Sequence, residues 1–269
     1  MLKVGIAIVV LAALAALVGP VLSPFDPATQ QLALRLSGPT LAHPFGLDEL
    51  GRDILSRVLA GARISFLVGL TVVATSASIG TLLGAMAGYF GGVLDDVVSL
   101  VVDTLLAFPG LLLAIALVAV LGPSLTHVLF ALTIIGWVGY ARLARGQALR
   151  AREFEYVQAA RALGAGPARV LWRHIIPTVL PTVVVQATLG MAGAILGEAA
   201  LSFLGLGVQP PTPSWGTMLN GGRAHILDAP YLTIFPGIAI ALLVLGFNCV
   251  GDGLRDLVDP TGRAESQGS

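Results

Sequence analysis

The residues able to do chemistry in this chain are few and scattered. Its one cysteine, Cys249, and its four histidines, His43, His127, His174 and His225, are dispersed, and none pairs with a cysteine or carboxylate at ligand spacing. No metal site is expected. Ser124 and His127 are close enough to suggest a nucleophile and its base, but they sit in a short connection between apolar runs, and turn residues are the plainer reading. Neither G-x-S-x-G nor the phosphate-cradling G-x-x-x-x-G-K-[S/T] occurs. Asp103 and Glu198 lie inside apolar runs, where a charge in lipid is costly. Either could line a channel; we read both as lying near a membrane boundary, Glu198 facing water or a neighbouring helix. Asp95 and Asp96 read as solvated turn residues. These residues make no catalytic constellation, so the chain reads as a non-enzyme without a cofactor.

The elements that carry these residues are apolar. Of 269 residues, 56% are hydrophobic and 11% charged, with a mean hydropathy of +0.89. A soluble domain carries about 25% charged residues, so this chain cannot cover a water-facing surface, and lipid must be its solvent. The formal net charge of zero gives no case for nucleic-acid binding. A helical span needs about 20 apolar residues. Six runs qualify: Val4 to Leu22, Ile64 to Phe90, Val97 to Leu121, Leu125 to about Ala141, Thr178 to Leu201, and Tyr231 to Val250. The fold class is therefore an all-α membrane protein of about six transmembrane helices. The first run follows Lys3 as a signal peptide would, but its length exceeds the roughly 7–15 residues of a signal core, so residues 1–22 are expected to be a retained anchor. Gly80, Gly84 and Gly88 make two overlapping G-x-x-x-G units, read as close helix packing. Pro109 should bend the third span.

Seven of the fifteen cations, from Arg142 to Arg173, lie between the fourth and fifth spans. The positive-inside rule places that segment in the cytoplasm, and six spans then put both termini there, in agreement with Lys3, Arg255 and Arg263. Arg52, Arg57 and Arg63 fall outside and oppose the rule, with Asp48, Glu49 and Asp53 among them. The outer segment 23–62 opens on Ser-Pro-Phe-Asp-Pro. It should then form an amphipathic surface helix capped by Asp48, with Leu50, Ile54, Leu55, Val58 and Leu59 on its apolar side and Asp53 and Arg57 at i,i+4 spacing. A second outer segment, 202–230, should hold a short helix after Ser214. A cytoplasmic tail is expected at 253–269, after a main body of 63–252.

The inner segment, 153–177, carries the most information. Phe154, Val157, Ala160 and Leu163 recur at helical spacing. Gly164 and Gly166 supply a stop, and Pro167 opens a second helix through Val170, Leu171 and Ile175 to Pro177. Two short helices bent at a glycine make a rigid knob, suited to docking a partner.

Gln158-Ala159-Ala160, three further residues, Gly164, and then Ile176-Pro177 resemble the EAA loop of binding-protein-dependent importer permeases, whose pattern is Glu-Ala-Ala-x3-Gly-x9-Ile-x-Leu-Pro. Gln158, His174 and Ile176 depart from it, and Gln158 removes any salt bridge from that position. His43-Pro44-Phe45-Gly46-Leu47-Asp48-Glu49-Leu50-Gly51-Arg52-Asp53 is similar to the segment before the second span in the peptide and nickel branch. Leu201 to Pro211 with Ser214-Trp215-Gly216, and Asn248 to Pro260, are similar to that branch's last outer loop and tail. The chain thus resembles the second, C-type permease of a dipeptide, oligopeptide or nickel system. The resemblance implies a type I importer fold, a sister permease, two cytoplasmic ATPases and an external solute-binding protein. It also implies that the EAA segment is a coupling helix, with Tyr156, Gln158, Ala159, Ala160, Arg161, Leu163, Gly164 and Pro177 as the ATPase-coupling residues. A secondary transporter would show internal repeats, and no convincing halves are visible.

Overall fold

The computed structural model describes residues 1–258. The expected tail positions Pro260 and Arg263 lie outside them. Among the described residues the regular secondary structure is helical, apart from one isolated bridge between Leu47 and Asp53, and loops such as 35–53 and 204–214 join the helices. Its helices are α1 (Leu2–Leu22), α2 (Ile54–Phe90), α3 (Gly92–Leu106), α4 (Gly110–Leu121), α5 (Leu125–Ala151), α6 (Glu155–Ala162), α7 (Pro167–Val170), α8 (Ile176–Phe203), α9 (Trp215–Gly222) and α10 (Tyr231–Val258).

Close approach of α2 to α5 forms the centre. A Cβ added at Gly80, Gly84 or Gly88 would run into the backbone carbonyls of Trp137, Ala141 and Arg145 respectively. Both series advance by four residues in the same direction, so the two helices run parallel, and only glycine lets their backbones meet. Parallel neighbours require the chain to recross the membrane between them. The α3–α4 pair is therefore the intervening span, although α3 and α4 meet at 87°. Pro109, the N-cap of α4, marks the break. Five helices are individually long and apolar enough to cross, and this bent pair makes the sixth.

Several expectations change. The surface helix before the second span does not exist as a separate element: α2 starts at Ile54 and runs unbroken for 37 residues, about 55 Å at 1.5 Å per residue. Its cap is Asp53, which accepts from Ser56 N at 2.8 Å, and not Asp48. The extended α2 stays helical beyond the membrane because its outer end is buried: Trp215 donates to the Val58 carbonyl at 2.9 Å, and Ile54 packs in the core. The fourth span continues as α5 to Ala151, ten residues past the expected end. Nor is the second knob helix separate, because α7 passes through a π-helical stretch, Leu171–Ile175, straight into α8. The expected tail begins as helix, since α10 reaches Val258.

Ionic groups are also rearranged. Asp95 is no solvated turn residue: it lies in the first turn of α3 and makes a two-pronged pair with Arg145, one arm at 2.8 Å. Asp53 and Arg57 do not pair with each other. His43 Nδ1 meets Asp53 Oδ2 at 2.9 Å, a single contact ten residues apart that the sequence reading did not foresee. Arg57 instead donates to the Pro27 carbonyl at 3.0 Å and approaches Asp48 Oδ2 at 3.6 Å. Arg52 Nε donates to the same Asp48 oxygen at 2.7 Å. Two of the three outer arginines thus serve a buried network. Of the two surroundings expected for Glu198, the neighbouring helix is the one found: Glu198 is fully buried and accepts from Ser202 Oγ at 2.6 Å, beside the start of α9, where Gly216 packs on Ala199 and Ser202. Ser124 caps α5 by accepting from His127 N at 3.1 Å, and His127 Nδ1 lies 2.7 Å from the Gly122 carbonyl, so both are helix-start residues.

Along the opposite side, α1 packs antiparallel on α10. Gly5 faces Cys249 and Gly246, and Gly253 faces Leu2. Large side chains such as Leu11, Leu100 and Val120 are left exposed on α1, α3 and α4.

Candidate functional site

The turn between α5 and α8 is built from its smallest residue outward. Gly164 has φ +85°, a left-handed conformation that costs other L-residues about 1–2 kcal/mol. Around it Ala165 N donates to the Ala160 carbonyl at 3.0 Å and Gly164 N to the Arg161 carbonyl at 2.9 Å. These two bonds make a Schellman cap, which satisfies the last free carbonyls of α6. The chain then turns through Gly166, the N-cap of α7, onto Pro167 in its first turn, where a missing N–H costs nothing.

One apolar anchor holds α6 down. Val157 is fully buried, in the same cluster as Val170, Leu171 and Ile175. Three polar ties join it. Thr178 Oγ1 donates to the His174 carbonyl at 2.7 Å, which uses its only proton, so the Tyr156 hydroxyl at 2.7 Å must donate to Thr178. Gln158 Nε2 donates to the Glu153 carbonyl at 3.2 Å. The Arg161 guanidinium stands over the Tyr89 ring, 4.8 Å from its centroid, while Arg152 donates to the Gly88 carbonyl at 3.2 Å. The end of α2 thus grips the turn from one side and the start of α8 from the other. The π-helical stretch lies immediately before Pro177, whose ring would clash with the carbonyl four residues back in a regular helix; the wider turn relieves that clash.

What remains outside is a face of α6. Glu155, Gln158, Ala159 and Ala162 are exposed, and Leu163 at its end is 89% exposed. Glu155 in the first turn and Arg161 in the last both complement the helix dipole. Such a face offers a shallow surface of small side chains with one projecting leucine. It holds no group positioned for bond-making chemistry.

Of the expected site residues, the structure brings Tyr156, Gln158, Ala159, Ala160, Arg161, Leu163 and Gly164 together on α6 and its cap. Pro177 stays apart, at the base where α8 begins. Two have roles the pattern did not convey: Tyr156, still half exposed, bonds Thr178 through its hydroxyl, and Arg161, also exposed, is tied to Tyr89 of its own chain. Tyr89 and Thr178 were missed. Nothing local to Tyr89 in the sequence signals its cation partner, which lies 72 residues away at Arg161. Also missed was a stripe on α8: Gln186, Gly190, Gly193 and Gly197 fall at i, i+4, i+7 and i+11, all on one helix face.

Comparison with known proteins gives a consistent picture. The sequence profile described as binding-protein-dependent transport system inner membrane component matches residues 80–263. A dipeptide transport system permease protein of Alkalihalophilus pseudofirmus is 46% identical over 257 residues, covering 96% of this chain and 84% of the relative. A probable D,D-dipeptide transport system permease protein of Escherichia coli is 46% identical, with 94% and 85% covered. A glutathione transport system permease protein of Pectobacterium atrosepticum is 47% identical, with 83% and 74% covered.

Proposed function

The chain belongs to the binding-protein-dependent transport system inner membrane components, and on that premise we propose that it forms one half of the path of an ATP-driven peptide importer. The family is one of transport permeases and not of catalysts. The other half of the path is a sister permease, ATP is hydrolysed by two cytoplasmic subunits, and solute arrives from an external binding protein. The chain itself carries no cofactor, its bilayer contacts are the apolar outer faces, and both termini lie in the cytoplasm with α6.

Docking of α6 into an ATPase is the coupling step. The carrying observation is that α6 is held rigidly at both edges while its remaining face is exposed. A mobile loop would absorb the movement of an ATPase, whereas a helix braced on α2 and α8 transmits it to two spans at once. Tyr156, Gln158, Ala159, Ala160, Arg161, Leu163, Gly164 and Pro177 build or brace that helix. The solute class follows the relatives, whose names specify a dipeptide, a D,D-dipeptide and glutathione, all molecules built on amide bonds.

Leu163→Cys, in the chain co-expressed with its sister permease, ATPase and binding-protein subunits, tests the assignment. A crosslink to a cytoplasmic ATPase, together with ATP-dependent uptake of a dipeptide in vesicles, is the expected outcome. A chain that purifies without an ATPase, or positions 156 to 164 all failing to crosslink, would refute the docking role.

A further inference from the structure

Between α2, α4, α5 and α8 lies a cavity of about 330 Å³, within the size range of small-molecule sites. Six of its lining residues are glycines: Gly110, Gly136, Gly139, Gly190, Gly193 and Gly197. Small residues alone would mean only close helix packing. Tyr140 gives the cavity a second property. Its side chain lines the space, is 5% exposed, and its hydroxyl has no hydrogen-bond partner among the described residues. That hydroxyl reaches from α5 to α8 and abuts Gly190 so closely that a Cβ there would overlap it. A buried hydroxyl without a partner costs free energy, and the fold could have avoided the cost with phenylalanine. Ser76 and Gln186 are the other polar side chains in the lining, and Gln186 is an exposed residue.

We propose that this cavity is a solute-binding station on the import path, with the Tyr140 hydroxyl as donor and the Gln186 amide as donor and acceptor for the peptide bond of the passing solute. This rests on the importer reading above and refines its substrate class. The lining holds no Asp, Glu, His, Cys, Lys or Arg, so it offers a metal cation no ligand and a charged side chain no counter-ion. Neutral hydrogen-bonding groups at a glycine-walled surface match what all peptides share, the backbone amide, and leave side chains unread. Selection among peptides then falls to contacts elsewhere.

Proteoliposomes holding the whole complex, wild type or Tyr140→Phe, decide the point with radiolabelled L-alanyl-L-alanine and its thioamide, whose sulfur is the weaker acceptor. Phenylalanine keeps the ring and removes only the hydroxyl. We expect wild type to prefer the oxygen amide. Tyr140→Phe should raise the half-saturating concentration of that dipeptide about threefold to tenfold, the range of one hydrogen bond, and narrow the preference over the thioamide. A purely structural role for Tyr140 would slow both solutes alike. Equal slowing, or uptake and preference identical to wild type, overturns the station while leaving the importer intact. A wild-type complex that takes up neither solute overturns both readings.

Discussion

The two ends of the molecule use charge in opposite ways. At the outer end Asp48, Arg52, Asp53 and Arg57 are all buried, and each has a partner. At the inner end Arg161 and its neighbours Glu155, Arg169 and Arg173 lie on an exposed surface. Outer charges tie residues 23–53 to the start of α2, and inner charges surround a helix with a free face. Arg52 and Arg57 are two of the three cations that counted against the positive-inside reading of the sequence. That rule concerns cations that meet the membrane surface, and these two are enclosed within the protein beside a carboxylate. Arg63 alone of the three is exposed. The contrast also predicts distinct failures: damage outside should remove the protein, and damage inside should leave the protein in place without coupled transport.

Asp48 offers the strongest way to break that contrast. Its carboxylate accepts from Leu50 N and Arg52 N, each at 2.9 Å, and from Arg52 Nε, with Arg57 Nε next to it. Asp48→Ala removes the carboxylate shared by two buried guanidinium groups, leaving Arg57 the Pro27 carbonyl and Arg52 only Glu49 at 3.9 Å; removing one partner of a buried pair costs about 3–5 kcal/mol. Membrane levels of the variant should fall steeply, and the purified complex should melt at a lower temperature. A variant that accumulates and melts like wild type would show that the outer network is not what holds the end of α2.

Sequence reading served these two ends unequally. The inner turn was legible because its determinants are local: Gly164, Gly166, Pro167 and the spacing from Phe154 to Leu163 act within a few residues of each other. The six crossings were legible from length and composition alone. Outer pairing was not, because periodicity shows that Asp53 and Arg57 share a helix face but not that His43 and Pro27 fold back to claim them. The same limit hid Arg161 on Tyr89, a contact spanning most of the chain's central third. It also hid the fusion of α7 with α8, since glycine and proline signals mark where a helix can start but not whether a later proline interrupts it. Glu198 was left between water and a neighbouring helix for a related reason. Its apolar neighbours showed that it lies in a span, and only the fold of residues 203–216 over it shows what it faces.

At the inner end Gly164→Val should have the next largest effect. Space is not the obstacle, for a Cβ there meets no atom within 4 Å. The obstacle is φ +85°, worst for a β-branched side chain, with a cost of about 1–2 kcal/mol concentrated in the cap of α6. The protein should insert and assemble at wild-type levels while ATP hydrolysis proceeds with little uptake. Gly164→Asn, which tolerates the left-handed region, should recover most of the transport. If Asn and Val behave alike, the left-handed cap is not what coupling depends on.

Arg161→Ala should have the smallest effect and separates bracing from docking. If Arg161 braces α6 against Tyr89, the loss is one cation–π contact at an exposed site, about 0.5–1 kcal/mol, and uptake should fall about twofold to fivefold. Tyr89→Leu should then produce the same fall, and the double variant no further one, because both remove a single interaction. If Arg161 instead contacts the ATPase directly, the two substitutions should add, and Tyr89→Leu alone should leave the crosslink from Leu163 unchanged. The double-variant cycle therefore tests whether the inner surface, like the outer one, spends some of its charge on its own fold.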